Sequence, residues 1–396
     1  MTHDATRSSG TGALLALAIG AFGIGTTEFS PMGLLPVIAD GVDVSIPTAG
    51  TLISAYAIGV MIGAPVMTLL FSRFGKRTAL MALMAIFTIG NLLSALAPDY
   101  WTLLAARVVT SLNHGAFFGL GAVVAASVVP KEKQASAVAI MFMGLTIANI
   151  GGVPAATWIG QQIGWRAAFL GIAALGVIAI AALALALPKG QPGAPVNVRR
   201  ELRVLTRPEV VISILITMLG FSGTFALYTY VAPLLEDMVG ASGGFVTLVL
   251  ALIGIGFTIG NWLGGKLADW SPEGATAIFL ISLAVIMLAM PFLLTTPLSA
   301  AITLLAWGIA AFAIVPPVQM RVMQAASEAP GLASSVNIGA FNLGNAIGAA
   351  IGGAVIAMGY GYAAVPVAGG LLAVAALSLV AIARRQNVEP NGLYRA

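Results

Sequence analysis

The stretch TAGTLISAYAIGVMIGAPVMTLL, residues 48–70, runs without a charge into FSRFGKR, residues 71–77, which carries Arg73, Lys76 and Arg77. A helix needs about 20 apolar residues to cross a bilayer, and this one has them. Cations gathered at one end of such a helix mark the cytoplasmic side. Outward from this segment, apolar stretches recur at about 12–38, 78–97, 101–128, 135–159, 166–187, 208–235, 245–265, 275–295, 297–320, 332–358 and 362–383. Together they predict an all-α membrane protein of twelve transmembrane helices. Period-two alternation is missing and barrel strands would be half as long, so strands are not expected.

Composition agrees. Of 396 residues, 59% are hydrophobic and 8% are charged, against about 25% charged in soluble domains. The predicted solvent is the lipid bilayer of a bacterial-type inner membrane. The 18 basic residues explain the net charge of +4 by their placement, since all but Arg107 and Arg166 fall on one side of the predicted topology. Both termini are therefore expected in the cytoplasm, and the basic balance gives no support to nucleic-acid binding. The polar start, Met1 to Thr11, precedes an apolar run too long for a cleaved signal. Cysteine is absent, which removes disulfides and thiolate chemistry. Two histidines, His3 and His114, offer no metal site. No Walker loop and no hydrolytic triad appears, so neither ATP drive nor an enzyme is expected.

The chain also repeats itself at an offset of about 197 residues. Pro36 matches Pro233, Gly59 and Gly63 match Gly256 and Gly260, and Gly164 matches Gly361. Ser72 falls opposite Asp269. One offset serving separate regions divides the chain into two pseudo-symmetric six-helix bundles, 1–187 and 208–385. A linker, 188–207, contains Pro192, Gly193, Pro195 and four arginines, and a tail occupies 386–396. Two such repeats around a central site form an alternating-access architecture.

Several passages resemble the major facilitator superfamily. Phe71-Ser-Arg-Phe-Gly-Lys-Arg77 is similar to its signature after helix 2, Gly-x-Leu-Ala-Asp-Arg-x-Gly-Arg, through Arg73, Gly75 and Arg77. The second copy, Gly265-Lys-Leu-Ala-Asp269, is closer to that pattern. Arg107-Val-Val-Thr-Ser-Leu-Asn-His-Gly115 resembles the helix 4 arginine motif. With Thr26 to Pro36 of helix 1 and Gly144 to Trp165 of helix 5, the whole chain resembles the twelve-helix drug:proton antiporters. Within that group it is most similar to the arabinose-efflux, chloramphenicol-resistance and nucleoside-efflux branch. The resemblance implies a monomeric exporter of a small organic molecule, driven by protons without a cofactor. An uptake symporter of the same fold is the alternative, and a channel or membrane-embedded enzyme is a remoter one. In the family an acid at the position of Ser72 holds the start of helix 11. Such a charge at a helix N-terminus is worth about 0.3–1 kcal/mol, which serine does not supply. Helix 5 carries Gly151-Gly152-Val-Pro154 where antiporters have Gly-Pro before the glycine pair.

Glu28 is the one acid deep within a predicted span. A charge there costs at least about 2.5–3.5 kcal/mol, so it faces a cavity or a partner. Proton coupling and a static ion pair are the two readings. Arg107 is the expected partner, because the depths of the two residues differ by roughly 6 Å at 1.5 Å per residue. Thr110, Ser111 and His114 follow Arg107 at i+3, i+4 and i+7, on one helix face. That polar stripe is expected to line a substrate cavity or to pack against polar groups. Asn149, Asn337, Asn342 and Asn345 either bind substrate or bridge helices, the latter worth about 0.6–2 kcal/mol. Tyr228, paired with Thr224, together with Phe118 and Trp307, completes the candidate cavity.

Overall fold

The computed structural model describes residues 2–188 and 198–388. Linker residues Lys189, Pro192, Gly193 and Pro195, and the tail from 389 with Arg395, lie outside the described residues. Twelve helices are long and apolar enough to cross a membrane. In order, helices 1 to 12 are Gly10–Gly41, Thr48–Phe71, Lys76–Leu96, Tyr100–Ser127, Lys131–Gln162, Trp165–Ala186, Pro208–Thr229, Gly244–Trp270, Pro272–Leu293, Pro297–Ala325, Pro330–Ala357 and Ala364–Arg384. A short amphipathic helix, Val198–Leu205, precedes helix 7. Among the described residues there is no strand.

Short polar residues start several of these helices by satisfying free backbone N–H groups. Ser45 accepts from the Thr48 N–H at 3.3 Å and Ser271 from the Gly274 N–H at 3.0 Å. Thr296 and Ser299 form a reciprocal capping box. Asp99 caps helix 4, accepting from the Thr102 N–H at 2.9 Å and its hydroxyl at 3.1 Å. The Thr102 N–H bond is the main reason the Asp99 carboxyl lies below its ordinary value. The cap is therefore complete above the usual carboxylate range and is lost as pH falls through the lowered value.

Three helices depart from the uniform spans expected of them, each at a proline. Pro233 cannot donate to the Thr229 carbonyl, and helix 7 breaks there before resuming as Val231–Val239. Helix 10 divides into Pro297–Ala313 and Val315–Ala325, just ahead of Pro316 and Pro317. Helix 5 passes through a π turn, Ala148–Gly152, where the Val153 N–H reaches back to the Ala148 carbonyl. This turn adjoins Pro154. Such π turns recur at functional positions in helices.

The chain packs into two compact units, Met1–Glu201 with Glu328–Gly339, and Leu202–Ser327 with Ala340–Ala396. Within the first unit helix 2 packs on helix 4, helix 3 on helix 6, and helix 1 on helices 5 and 6. Within the second, helix 8 packs on helix 10, while helices 7 and 9 both pack on helix 12. Pairings 2–4, 3–6 and 1–6 thus recur as 8–10, 9–12 and 7–12. The repeated glycines explain the first of these. A Cβ on Gly63 would lie 3.0 Å from the Leu112 Cα, and one on Gly256 would lie 2.8 Å from the Leu305 carbonyl oxygen. Both Gly-x-x-x-Gly pairs therefore serve close packing inside a unit. Gly164 and Gly361, matched by the repeat, both hold positive φ, 125° and 75°, just before helices 6 and 12.

Helix 1 approaches helix 5 most closely at Gly144. A Cβ there would stand 2.8 Å from the Ala18 carbonyl carbon and 2.9 Å from the Phe22 nitrogen. Neither backbone atom can move cheaply. Gly144→Ala is expected to destabilise the first unit by about 1–3 kcal/mol, measured as earlier loss of helicity in a denaturing-detergent titration.

Candidate functional site

Arg107 organises the polar interior of the first unit. It is 1% exposed, and a guanidinium so deeply placed needs acceptors around it. Glu28 is the expected one, and it interacts with the guanidinium through charge rather than through a direct bond. Among the described residues no hydrogen bond or ion pair joins them. Instead the Arg107 Nη1 donates to the Thr27 hydroxyl at 3.1 Å. Consecutive residues on a helix point about 100° apart, so Thr27 faces helix 4 and Glu28 is turned aside. Glu28 stays half-buried and within electrostatic range of the guanidinium.

The network continues from Thr27. Its hydroxyl donates to Asn91 Oδ1 at 2.6 Å, and Asn91 Nδ2 donates to the Phe87 carbonyl at 2.9 Å. On its other side the guanidinium lies 4.4 Å from the centre of the Tyr56 ring, a cation–π contact in a desolvated setting. The Tyr56 hydroxyl shares a hydrogen bond of 3.2 Å with His114 Nδ1. The His114 ring leans on Phe118, which stacks on Phe142 with centroids 5.0 Å apart. Arg107 Nε and Nη2 are buried and meet no acceptor among the described residues.

The polar stripe on helix 4 is divided by its neighbours. Thr110 is fully buried and donates to the Ala106 carbonyl at 2.8 Å, while helix 3 presses Gly90 against its backbone. Ser111 is also fully buried, donates to the Val108 carbonyl at 2.7 Å, and packs against Gly59 of helix 2. His114 alone of the three joins the Arg107 cluster. Asn149 sits half-buried in the π turn and donates to the Leu145 carbonyl at 3.1 Å.

The loop motif of the first unit lines a cavity of about 430 Å³ together with Glu328 and Pro330 to Leu332 of helix 11. Ser72 donates to the Leu69 carbonyl at 2.6 Å, so its hydroxyl closes its own helix. Arg73 is exposed, Gly75 precedes helix 3, and Arg77 donates to the Ala184 carbonyl at 2.5 Å. The start of helix 11 is held by Thr68, whose hydroxyl lies 2.6 Å from that of Ser335.

In the second unit, aromatic rings from four helices form one cluster. Phe221, Phe225 and Tyr228 recur at helical spacing on helix 7. Phe257 stacks on Phe312 with centroids 4.0 Å apart, and Tyr228 lies parallel to Trp307 at 6.3 Å. Phe341 of helix 11 meets Phe221 edge-on at 4.5 Å. Trp307 is fully buried, and its Nε1 meets no acceptor among the described residues, whereas Tyr228 is half-buried. Asn342 is buried and Asn345 half-buried on helix 11. Gly265 is buried and Asp269 half-buried near the end of helix 8. Beside them a cavity of about 600 Å³ is lined by Glu209, Trp270, Glu273 and Arg321. Arg384 donates to the Glu273 carboxylate there at 3.0 Å.

The sequence reading missed Thr27, Tyr56 and Asn91. A threonine beside a membrane acid, and a lone amide in helix 3, were the available signals. The spacing of Phe221, Phe225 and Tyr228 was legible, but not the rings they would meet.

Residues 17–349 match the model of the Major Facilitator Superfamily. The chain is 66% identical to the inner membrane transport protein YdhP of Escherichia coli K12, over 95% of this chain and 97% of that one. It is 32% identical to the chloramphenicol resistance protein of Streptomyces lividans, covering 85% of this chain and 86% of that protein. Among solved structures it resembles the transporter FucP in its outward conformation, with a TM-score of 0.77 at 13% identity, covering 94% of this chain and 98% of FucP. At that identity the likeness is one of fold.

Gly119 tests the seat of helix 11 within the first unit, because a Cβ there would lie 2.6 Å from the Ser335 nitrogen. The chain has no cysteine, so Leu332→Cys, at a position 1% exposed, provides a single reporter. Adding Gly119→Val is expected to raise its maleimide labelling several-fold, read by mass shift. Unchanged labelling would mean that Gly119 does not govern this contact.

Proposed function

The chain belongs to the Major Facilitator Superfamily, and we propose that it is a proton-coupled antiporter that exports a small organic molecule by alternating access. It is a multi-pass membrane transporter, and its fold and relatives are not those of enzymes. The observation that carries the finer reading is the state of the helix 1–helix 4 pair. A fully buried guanidinium stands near the one acid deep in a span, yet donates to Thr27, while among the described residues nothing bonds the Glu28 carboxyl. A static ion pair would be closed. An open pair leaves the carboxyl available to take up a proton in one state and to lose it to Arg107 in another.

Supporting readings follow from this role. Export is supported by a relative named as a probable sugar efflux transporter. The aromatic cluster around Tyr228 suits a molecule with a ring or an apolar face. The uneven placement of Lys and Arg supports cytoplasmic termini, a cytoplasmic linker at 188–207 and six-helix halves at 1–187 and 208–385. One protomer carries every group invoked, so a monomer suffices. One net charge moving through 100 mV supplies about 2.3 kcal/mol. At about 1.4 kcal/mol per tenfold, that sustains roughly a fifty-fold gradient.

Substrate is best sought by thermal shift of the purified protein with phenicols, nucleosides, sugars and amphipathic cations. With the compound so found, Glu28→Gln is expected to reduce proton-driven flux in oriented proteoliposomes to background while leaving the thermal shift intact. Normal pumping by this variant would move the coupling site elsewhere. Arg107→Ala is expected to lose the same proton-driven flux. Flux with the proton gradient, in place of exchange against it, would make the protein a symporter.

A further inference from the structure

Three hydrogen bonds around Arg107 have only one possible direction. A guanidinium donates and never accepts. The Thr27 hydroxyl must therefore accept from Nη1, which sends its single hydrogen to Asn91 Oδ1 at 2.6 Å. Asn91 is oriented in turn because its Nδ2 donates to the Phe87 carbonyl at 2.9 Å. The chain of donors ends on backbone, so the whole set is anchored to helix 3. Helix 3 comes close enough because Gly90 lies directly against helix 4, where a Cβ would fall 2.8 Å from the Thr110 nitrogen. Thr27 and Asn91 are both fully buried.

We propose that Thr27 and Asn91 are positioning residues, a seat that holds Arg107 away from Glu28 and thereby sets when Glu28 exchanges its proton. The inference rests on the coupling role of Glu28 given above. While Nη1 is held on Thr27, the guanidinium is fixed in a place from which no hydrogen bond or ion pair reaches Glu28 among the described residues. Its Nε and Nη2 remain without acceptors among the described residues, and they form the edge that a carboxylate accepts from in the familiar two-bond arrangement. Leaving the seat lets Arg107 stabilise the Glu28 carboxylate, and the proton departs to water. Returning to it withdraws that stabilisation, and Glu28 takes a proton up again.

The ionisable groups facing this pair are few. Helix 2 contributes Tyr56, under the guanidinium, and helix 4 contributes His114, bonded to Tyr56. Helix 3 offers Asn91 at this depth, with Lys76 and Arg77 at its far end. Helix 5 carries its charges at Lys131, Glu132 and Lys133, at its first turn. Helix 6 has Arg166 in its first turn, bonded to the Ala97 carbonyl.

A test that needs no substrate uses dicyclohexylcarbodiimide, which modifies protonated carboxyl groups in apolar surroundings. Labelling at Glu28 is read by peptide mass spectrometry on the full chain in lipid, at mildly alkaline pH, with Glu28→Gln as the blank. Thr27→Val keeps the shape and removes the seat. An opposite charge brought against a carboxyl moves its titration by about 1–3 pH units, so labelling should fall tenfold or more. Thr27→Ser restores the hydroxyl and should restore wild-type labelling. Asn91→Leu acts on the other end of the same seat and should reduce labelling in the same direction, which covers poor folding of Thr27→Val. Equal labelling in wild type, Thr27→Val and Asn91→Leu would overturn the seat and leave the coupling role of Glu28 standing. A wild-type Glu28 that never labels, while Thr27→Val also never labels, would overturn both.

Discussion

Inside a bilayer a backbone N–H or C=O has no water to turn to, and each must be satisfied within the chain. That constraint makes every spanning segment a helix. It also makes prolines a demand on the backbone, one that Pro31, Pro36, Pro65 and Pro291 meet within unbroken helices and others do not. Pro233, Pro154 and the pair Pro316-Pro317 each remove a donor from a helix, and the chain answers with a break, a π turn and a second break. Interior polar side chains obey the same requirement. Thr110 and Ser111 turn their hydroxyls back onto carbonyls of their own helix. A polar residue in a membrane helix is therefore not by itself a sign of a binding site.

Arg107 is the group that this local remedy cannot serve. A hydroxyl can be satisfied by the preceding turn, but a guanidinium has five N–H donors and no acceptor. It requires groups from other helices, and those helices must come close. Helix 1 supplies Thr27, helix 2 supplies the Tyr56 face, and helix 3 reaches in through Asn91 because Gly90 leaves no side chain in the way. Removing one partner of a buried charge is strongly destabilising, commonly by about 3–5 kcal/mol.

The two units differ in what their shared framework carries. Helix pairings 2–4 and 8–10 rest on equivalent glycines, and Gly164 and Gly361 adopt the same side of φ. Over that framework the first unit holds the buried charge and the second the aromatic cluster. Phe221, Phe225 and Tyr228 occupy one face of helix 7, so that rings from helices 8, 10 and 11 can meet them. A buried polar cluster and an aromatic cluster are thus built on one repeated pattern of backbone contacts.

Much of this was legible along the chain. Span number, the repeat, the uniqueness of Glu28 and the depth of Arg107 all depend on composition and on rise per residue, which are one-dimensional quantities. Which side chain Arg107 would bond was not legible. Glu28 and Thr27 are neighbours in sequence at nearly one depth, and charge alone favours the glutamate. The choice fell to Thr27 because the angular setting of helix 1, fixed by close contacts such as Gly144 on Ala18, turns residue 27 rather than residue 28 toward helix 4. A hydrogen bond depends on direction over a few ångströms. Composition and rise per residue set which charged groups lie in the membrane and how deep, while the packing of helices 1, 3 and 4 set which side chain Arg107 touches.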